Sequence, residues 1–186
     1  VAADEFTSSI IVENCEIEDV AGAGINLRNP VNATITGNSI KNTGNNAITF
    51  QHGTAYTEAE NGTYIITNNV LENWAYNATE GRAIRIATGV EPRAMTIENN
   101  AMIKENAPEE FVKITGNTEN VSIDKNYWNG ANPVGDYTPA YYLVEGITPN
   151  SYYQKYTEEN GLENLLPTQA SVAQIGDYYY STLEAA

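Results

Sequence analysis

The feature that most restricts this chain is an isoleucine followed three residues later by an asparagine, five times over. The pairs are Ile11/Asn14, Ile35/Asn38, Ile66/Asn69, Ile97/Asn100 and Ile123/Asn126, with successive spacings of 24, 31, 31 and 26 residues. Periods in this range mark a stack of similar units, each too small to bury its own apolar face. Two positions before the later isoleucines stand Ala33, Tyr64, Met95 and Val121, and two positions after the later asparagines stand Ile40, Leu71, Met102 and Trp128. Alternation by two belongs to a strand with one buried face, so each unit reads as strand, asparagine turn, strand. The first unit breaks step, because Glu16 holds the slot of Ile40 and Ile17 comes one residue late.

A second row of strands follows at a variable distance: GINL (24–27), AITF (47–50), AIRI (83–86) and FVKI (111–114). Their inward pairs are Ile25/Leu27, Ile48/Phe50, Ile84/Ile86 and Val112/Ile114. Unit length varies only in intervening segments rich in Gly, Asn, Asp and Thr, which are turn residues. Loops absorb insertions and stacked strands do not, so the variation is what a repeat stack tolerates. The 24 asparagines then have a reason. Asparagine accepts left-handed backbone angles more readily than any residue except glycine. Stacked about 4.8 Å apart, the side-chain amides of Asn14, Asn38, Asn69, Asn100 and Asn126 are expected to hydrogen-bond in a ladder.

The totals exclude several functions. A net charge of −15 argues against nucleic acid and against an anionic membrane surface, since both are held by Lys and Arg. No apolar run approaches the roughly 20 residues of a membrane span, so membrane insertion is not expected. One Cys and one His supply neither a disulfide framework nor a zinc site, and Cys15 reads as a buried thiol. Calcium needs several converging carboxylates. Glu13, Glu98 and Asp124 come from comparable places on different units, but Gly37 and Asn68 intervene, so no cofactor is expected. The four Asn-x-Ser/Thr sequons, at Asn32, Asn61, Asn77 and Asn120, are what chance supplies in so asparagine-rich a chain. Acidity, few thiols and abundant Asn and Tyr point to a secreted or cell-surface setting. The start at Val1, without Met or signal pattern, reads as an excerpt of a longer protein.

TITGNSIKN (34–42), YIITNNVLEN (64–73) and MTIENNAMIKEN (95–106) resemble the units of the right-handed parallel β-helix of the pectin-lyase-like superfamily. The likeness covers about residues 8 to 128. It implies an all-β, right-handed, single-stranded parallel β-helix, a solenoid of about five coils spanning 1–128. VAQIGDYYYSTLEAA (172–186) resembles the opening of a module in large repetitive surface proteins of Gram-positive bacteria, matching at Val172, Ile175, Gly176, Tyr179, Thr182, Leu183 and Ala185. That resemblance implies a slice of a surface protein with a second module starting at 172. Between them, 129–171 carries Pro133, Pro139, Pro149 and Pro167 and no Ile-x-x-Asn unit. Nine of the 13 tyrosines lie beyond residue 136. This segment is expected to form an irregular Tyr-rich cap over the last coil, with SYYQKYTEENGLENLL (151–166) as a short helix stopping near Gly161. A tyrosine platform for sugars is the other use of the same residues.

Enzymes of the resembled superfamily usually act on acidic polysaccharides through outward side chains of one sheet. The outward positions of the second strand row are Asn26, Thr49, Arg85, Lys113 and Arg28, Gln51, Ala87, Thr115. With Arg82 beside them, four of the nine basic residues gather here. Arg28, Gln51, Arg82, Arg85 and Lys113 are therefore the candidate glycan-binding face. A lyase would use Arg85 and Lys113 as base and carboxylate clamp. The polygalacturonases of the superfamily need paired carboxylates, and none stands in these columns. QHG (51–53) and RIA (85–87) match their motifs only in part, and His52 reads as a turn residue. The expectation is a non-catalytic module serving adhesion, glycan binding or spacing, with a lyase acting on an acidic glycan as the alternative. The partners implied are a polysaccharide or host or cell-surface glycan and neighbouring modules of the same parent chain.

Overall fold

The computed structural model describes residues 2–3, 9–28, 32–51, 62–76, 81–87, 89–90, 93–104, 111–115, 118–131, 133, 147–168, 173–175 and 178–180. The described residues form strands and turns and no helix. Strands are numbered in chain order. Sheet B holds β2 (Ile10–Glu13), β5 (Ala33–Thr36), β8 (Thr63–Thr67), β11 (Ala94–Glu98) and β14 (Val121–Asp124). Sheet C holds β3 (Glu16–Val20), β6 (Ser39–Thr43), β9 (Val70–Trp74), β12 (Ala101–Ile103) and β15 (Asn126–Trp128). Sheet A holds β1 (Ala2–Ala3), β4 (Ile25–Arg28), β7 (Ile48–Gln51), β10 (Ile84–Ile86) and β13 (Val112–Ile114). All these pairings are parallel. From β2 onward the chain visits B, C and A in turn, and each circuit lays one strand on each sheet.

Register follows the buried rows. Val12, Ile35, Ile66, Ile97 and Ile123 are in line on sheet B, and Ile17, Ile40, Leu71, Met102 and Trp128 on sheet C. On sheet A, Ile25, Ile48, Ile84 and Val112 are in line. These rows meet in one interior, where Phe111 packs edge-on against Trp74 at 4.8 Å and stacks near Trp128 at 6.3 Å. One expectation fails in the first circuit. Its buried residue is Val12, and Ile11 points outward, 66% exposed. In the triplet Ile10-Ile11-Val12 local hydrophobicity leaves the phase open. Burying Val12 puts Ile17 in step with Ile40, which removes the apparent slip.

The same shift corrects the amide column. Asn38, Asn69, Asn100 and Asn126 are buried in line. Both the backbone N–H and the side-chain Nδ2 of Asn38 donate to Oδ1 of Asn69, at 3.0 and 2.9 Å. Asn69 does the same to Asn100, at 3.0 and 2.9 Å, and Asn100 to Asn126, at 2.9 and 3.0 Å. Each Nδ2 also donates to a carbonyl of the preceding circuit: Val12, Ile35, Ile66 and Ile97 in turn. Asn14 is not in this column. Its place belongs to Cys15, whose N–H donates to Asn38 Oδ1 at 3.0 Å. The thiol donates to the carbonyl two residues back, Glu13, as the amides of Asn100 and Asn126 do to Glu98 and Asp124.

Nor does one asparagine perform both tasks. The left-handed residue is the one before each column position: Asn14 before Cys15, and Gly37, Asn68, Asn99 and Lys125 before the four buried amides, with φ of 52°, 67°, 58°, 56° and 52°. A second set of left-handed residues lies inside the sheet C strands, at Asp19, Asn42 and Asn73. There Asn73 Nδ2 donates to Asn42 Oδ1 at 2.8 Å and Asn42 Nδ2 to Asp19 Oδ1 at 2.9 Å. This kink breaks the alternation by two, so that both Leu71 and Trp74 of β9 are buried.

The expected helix in 151–166 is a hairpin instead. β16 (Ser151–Thr157) pairs in parallel with β15 through Asn126↔Tyr152, and β17 (Gly161–Pro167) returns antiparallel to it. Extending sheet C satisfies the exposed backbone edge of β15, which a helix laid over it would leave unpaired. Asp124 holds the junction, accepting from the Ser151 N–H at 2.8 Å and its hydroxyl at 3.0 Å. β18 (Ala173–Ile175) and β19 (Tyr178–Tyr180) form a separate antiparallel pair. Val172, Gly176, Thr182, Leu183, Ala185, His52, Asn61, Asn77, Pro139, Tyr137, Tyr141 and Tyr142 lie outside the described residues.

Candidate functional site

Sheet A sets its outward columns by the same alternation that buries Ile25/Leu27 and their equivalents. Register puts Asn26, Thr49, Arg85 and Lys113 side by side. Arg28 pairs with Gln51 in the next column. Adjacent parallel strands stand about 4.8 Å apart, so Arg85 and Lys113 flank a space of one strand spacing. Arg85 and Arg28 are exposed, whereas Lys113 and Gln51 are half-buried. The Thr115 hydroxyl turns back to the Ile86 carbonyl at 3.2 Å. No carboxylate occurs in either column among the described residues.

Arg82 does not belong to this face. It is 5% exposed and lies before β10, where its N–H donates to Asn46 Oδ1 at 2.7 Å and its guanidinium to the Gly81 carbonyl at 3.2 Å. Alternation assigns no direction to a residue outside the strand. Its burial follows from the close approach of the turns, where a Cβ on Gly81 would meet the Ala75 Cβ at 2.5 Å.

Three lysines elsewhere form ion pairs, whereas the exposed Arg93 has none among the described residues. Lys41 lies 3.5 Å from Glu72 and 3.3 Å from Glu158, Lys125 3.7 Å from Glu98, and Lys155 3.0 Å from Glu163. Partial burial alone lowers the Lys41 pKa, but the hydrogen bond to Glu158 and the field of Glu72 outweigh it and hold the ammonium above its ordinary range. Burial shifts Lys104 downward, and its ammonium donates to the Trp74 carbonyl and stands 5.7 Å from the ring centre. Neither Arg85 nor Lys113 has a carboxylate within ion-pair distance among the described residues. Beside them are two oxygens that sequence reasoning missed, Thr49 Oγ1 and Asn26 Oδ1, both buried without a hydrogen-bond partner. Thr49 is only 1% exposed although it points outward. A pattern of alternation marks such a position as solvent-facing and contains no signal of what covers it.

Of the carboxylates considered for calcium, Glu98 and Asp124 are neighbours in register and Glu13 stands apart from them. Register places Thr36 and Thr67 between Glu13 and Glu98, and Lys125 is paired with Glu98 beside Asp124. Among the described residues no three His, Cys, Asp or Glu side chains are grouped as a metal site. Also among them, no helix is long and apolar enough to cross a membrane. Compared with protein-family models, with curated proteins and with solved structures, the chain finds no match in any of the three.

Proposed function

We propose that this chain is a non-catalytic right-handed parallel β-helix of the pectin-lyase-like kind, a module of a secreted or wall-attached bacterial surface protein, which holds an acidic glycan on sheet A. One observation carries the reading: Arg85 and Lys113 stand in register without carboxylate partners, in a protein of net charge −15 whose described Lys41, Lys125 and Lys155 are paired. Leaving two cations together and unneutralised costs repulsion, which an anionic ligand relieves. The absence of carboxylates from the two columns speaks against glycoside hydrolysis, which uses a pair of them. Stacked circuits also make the module a spacer between neighbours in the parent chain.

The test is affinity electrophoresis and calorimetry with pectate, alginate and glycosaminoglycans. Binding that drops roughly tenfold or more in Arg85→Ala/Lys113→Ala, with unchanged circular dichroism, supports the reading. Indifference of all three polymers to the double substitution overturns it. The same mixtures distinguish the alternative, a lyase in which Arg85 or Lys113 removes the proton at C5 of a uronate while the other neutralises its carboxylate, the C4–O bond breaks to give the C4=C5 double bond, and the departing chain takes up a proton on its oxygen. Ultraviolet absorbance of unsaturated uronate that disappears in Arg85→Ala establishes the enzyme instead.

A further inference from the structure

A second concavity lies on the outer face of sheet C and shares no residue with sheet A. Val70 and Ala101 are neighbours in register on β9 and β12, and they point outward because Leu71 and Met102 are buried. Ala101 is nonetheless only 2% exposed. The hairpin β16–β17 bends back over it, with Tyr156 paired across from Leu162. Val70, Ala101, Asn68, Asn99, Tyr156 and Leu162 are among the residues lining a cleft of about 270 Å³. The Tyr156 ring lies 6.0 Å from that of Tyr127, the next outward residue after Ala101. Glu158 at the tip reaches Lys41 on β6 at 3.3 Å, which ties the hairpin down across the sheet.

We propose that this cleft binds an uncharged saccharide, with a sugar ring against Tyr156 and its hydroxyls on the side-chain amides of Asn68 and Asn99. The two amides occupy the left-handed turn position and take no part in the buried ladder, and register keeps them one strand spacing apart, about 4.8 Å. That distance is within the span of hydroxyls across one ring. An aromatic body with apolar neighbours and a few amides is the lining a sugar needs, apolar on its C–H faces and polar on its rim. The volume is below that of most drug-sized sites, so it accommodates a short oligomer end rather than a long chain. Near Tyr156 the two carboxylates Glu158 and Glu72 face the single ammonium of Lys41, at 3.3 and 3.5 Å, so the cleft offers no unpaired cation to an acidic sugar among the described residues. A peptide strand is disfavoured too, since β9 and β12 are paired on both edges and offer no backbone to augment.

The test follows backbone amide shifts by nuclear magnetic resonance while neutral gluco-, manno-, xylo- and chito-oligosaccharides are added. Shifts confined to residues 68–70, 99–101 and 156–162, saturating with one of these sugars, are the expected result. Ala101→Phe is chosen to fill the cleft, and hydrogen exchange of the β16 amides checks that the hairpin pairing is kept. Asn99→Gly keeps the left-handed backbone and removes one amide. Each is expected to weaken binding roughly tenfold or more, whereas Arg85→Ala/Lys113→Ala leaves it unchanged. No response from the panel, or binding that survives Ala101→Phe, overturns the proposal. Because the sugar is neutral and the variants lie on another sheet, either outcome is independent of the acidic-glycan face.

Discussion

At the scale of single residues, the buried amide column decides more than any other feature. Asn69 Oδ1 accepts two hydrogen bonds and its Nδ2 gives two, all shielded from water. Asn69→Ala strands the Asn38 N–H and amide and the Ile35 carbonyl. Urea unfolding should show a loss of about 2–4 kcal/mol, the combined cost of several unsatisfied buried groups. Cys15 offers the reverse experiment. Its thiol covers only one of the bonds an amide makes there, and Cys15→Asn is expected to add about 1 kcal/mol by donating to Asn38 Oδ1. A drop in unfolding midpoint for that variant would show the first circuit to be frayed. Tyr64 supplies a pH dependence. Burial pushes its phenol up to about 12 from an ordinary 10. A group raised in the folded state contributes fully below its unfolded pKa and loses that contribution as pH climbs through the folded value. The protein should therefore lose up to about 2 kcal/mol between pH 10 and 12 that Tyr64→Phe retains, measured as the difference between the two urea curves.

At the scale of elements, the hairpin β16–β17 was hidden because its sequence has mixed character. Gln154, Lys155, Glu158 and Glu159 are ordinary helix residues, and Gly161 looks like a helix end. Neither consideration registers the open edge of β15, which only the folded sheet presents. Gly161 is instead the left-handed residue closing the hairpin, φ 71°, where a Cβ would meet nothing within 4 Å. Space is therefore not at issue and backbone strain alone sets the cost. Gly161→Val should destabilise the hairpin by about 1–2 kcal/mol and Gly161→Asn by less than half of that, read from hydrogen exchange of the β16 amides. Equal costs for the two would mean that the turn does not constrain φ. The kinks at Asp19, Asn42 and Asn73 were likewise invisible, since alternation by two presupposes an unbroken strand.

At the scale of the whole molecule, the lysines of sheet C, Lys41 and Lys155, are held by carboxylates, whereas the outward columns of sheet A contain cations and no carboxylate among the described residues. Sheet C carries Glu16, Glu18 and Glu72, sheet B carries Glu13, Glu98 and Asp124, and sheet A presents Arg28, Arg85 and Lys113. A net charge of −15 repels an acidic polymer at long range, so on the proposed reading its capture would depend on a local cationic strip and on salt. Binding to pectate or alginate should pass through a maximum as ionic strength rises. Moderate salt screens the distant carboxylates first, and high salt then weakens the contacts to Arg85 and Lys113. A monotonic fall in calorimetric titrations would indicate that the strip alone governs the encounter.

Much of this arrangement was written locally. The spacing of isoleucine and asparagine from residue 35 onward, and the inward pairs of the second strand row, determine which side chains enter the interior. Those choices depend only on alternation and on the chemistry of each residue. The phase of Ile10-Ile11-Val12, the place of Cys15 in the amide column, the burial of Arg82 and Thr49, and the hairpin over Ala101 belong to tertiary structure. Each is settled by what an adjacent strand or turn leaves unsatisfied or already fills, and a neighbour brought close only by winding leaves no trace in the order of residues beside it.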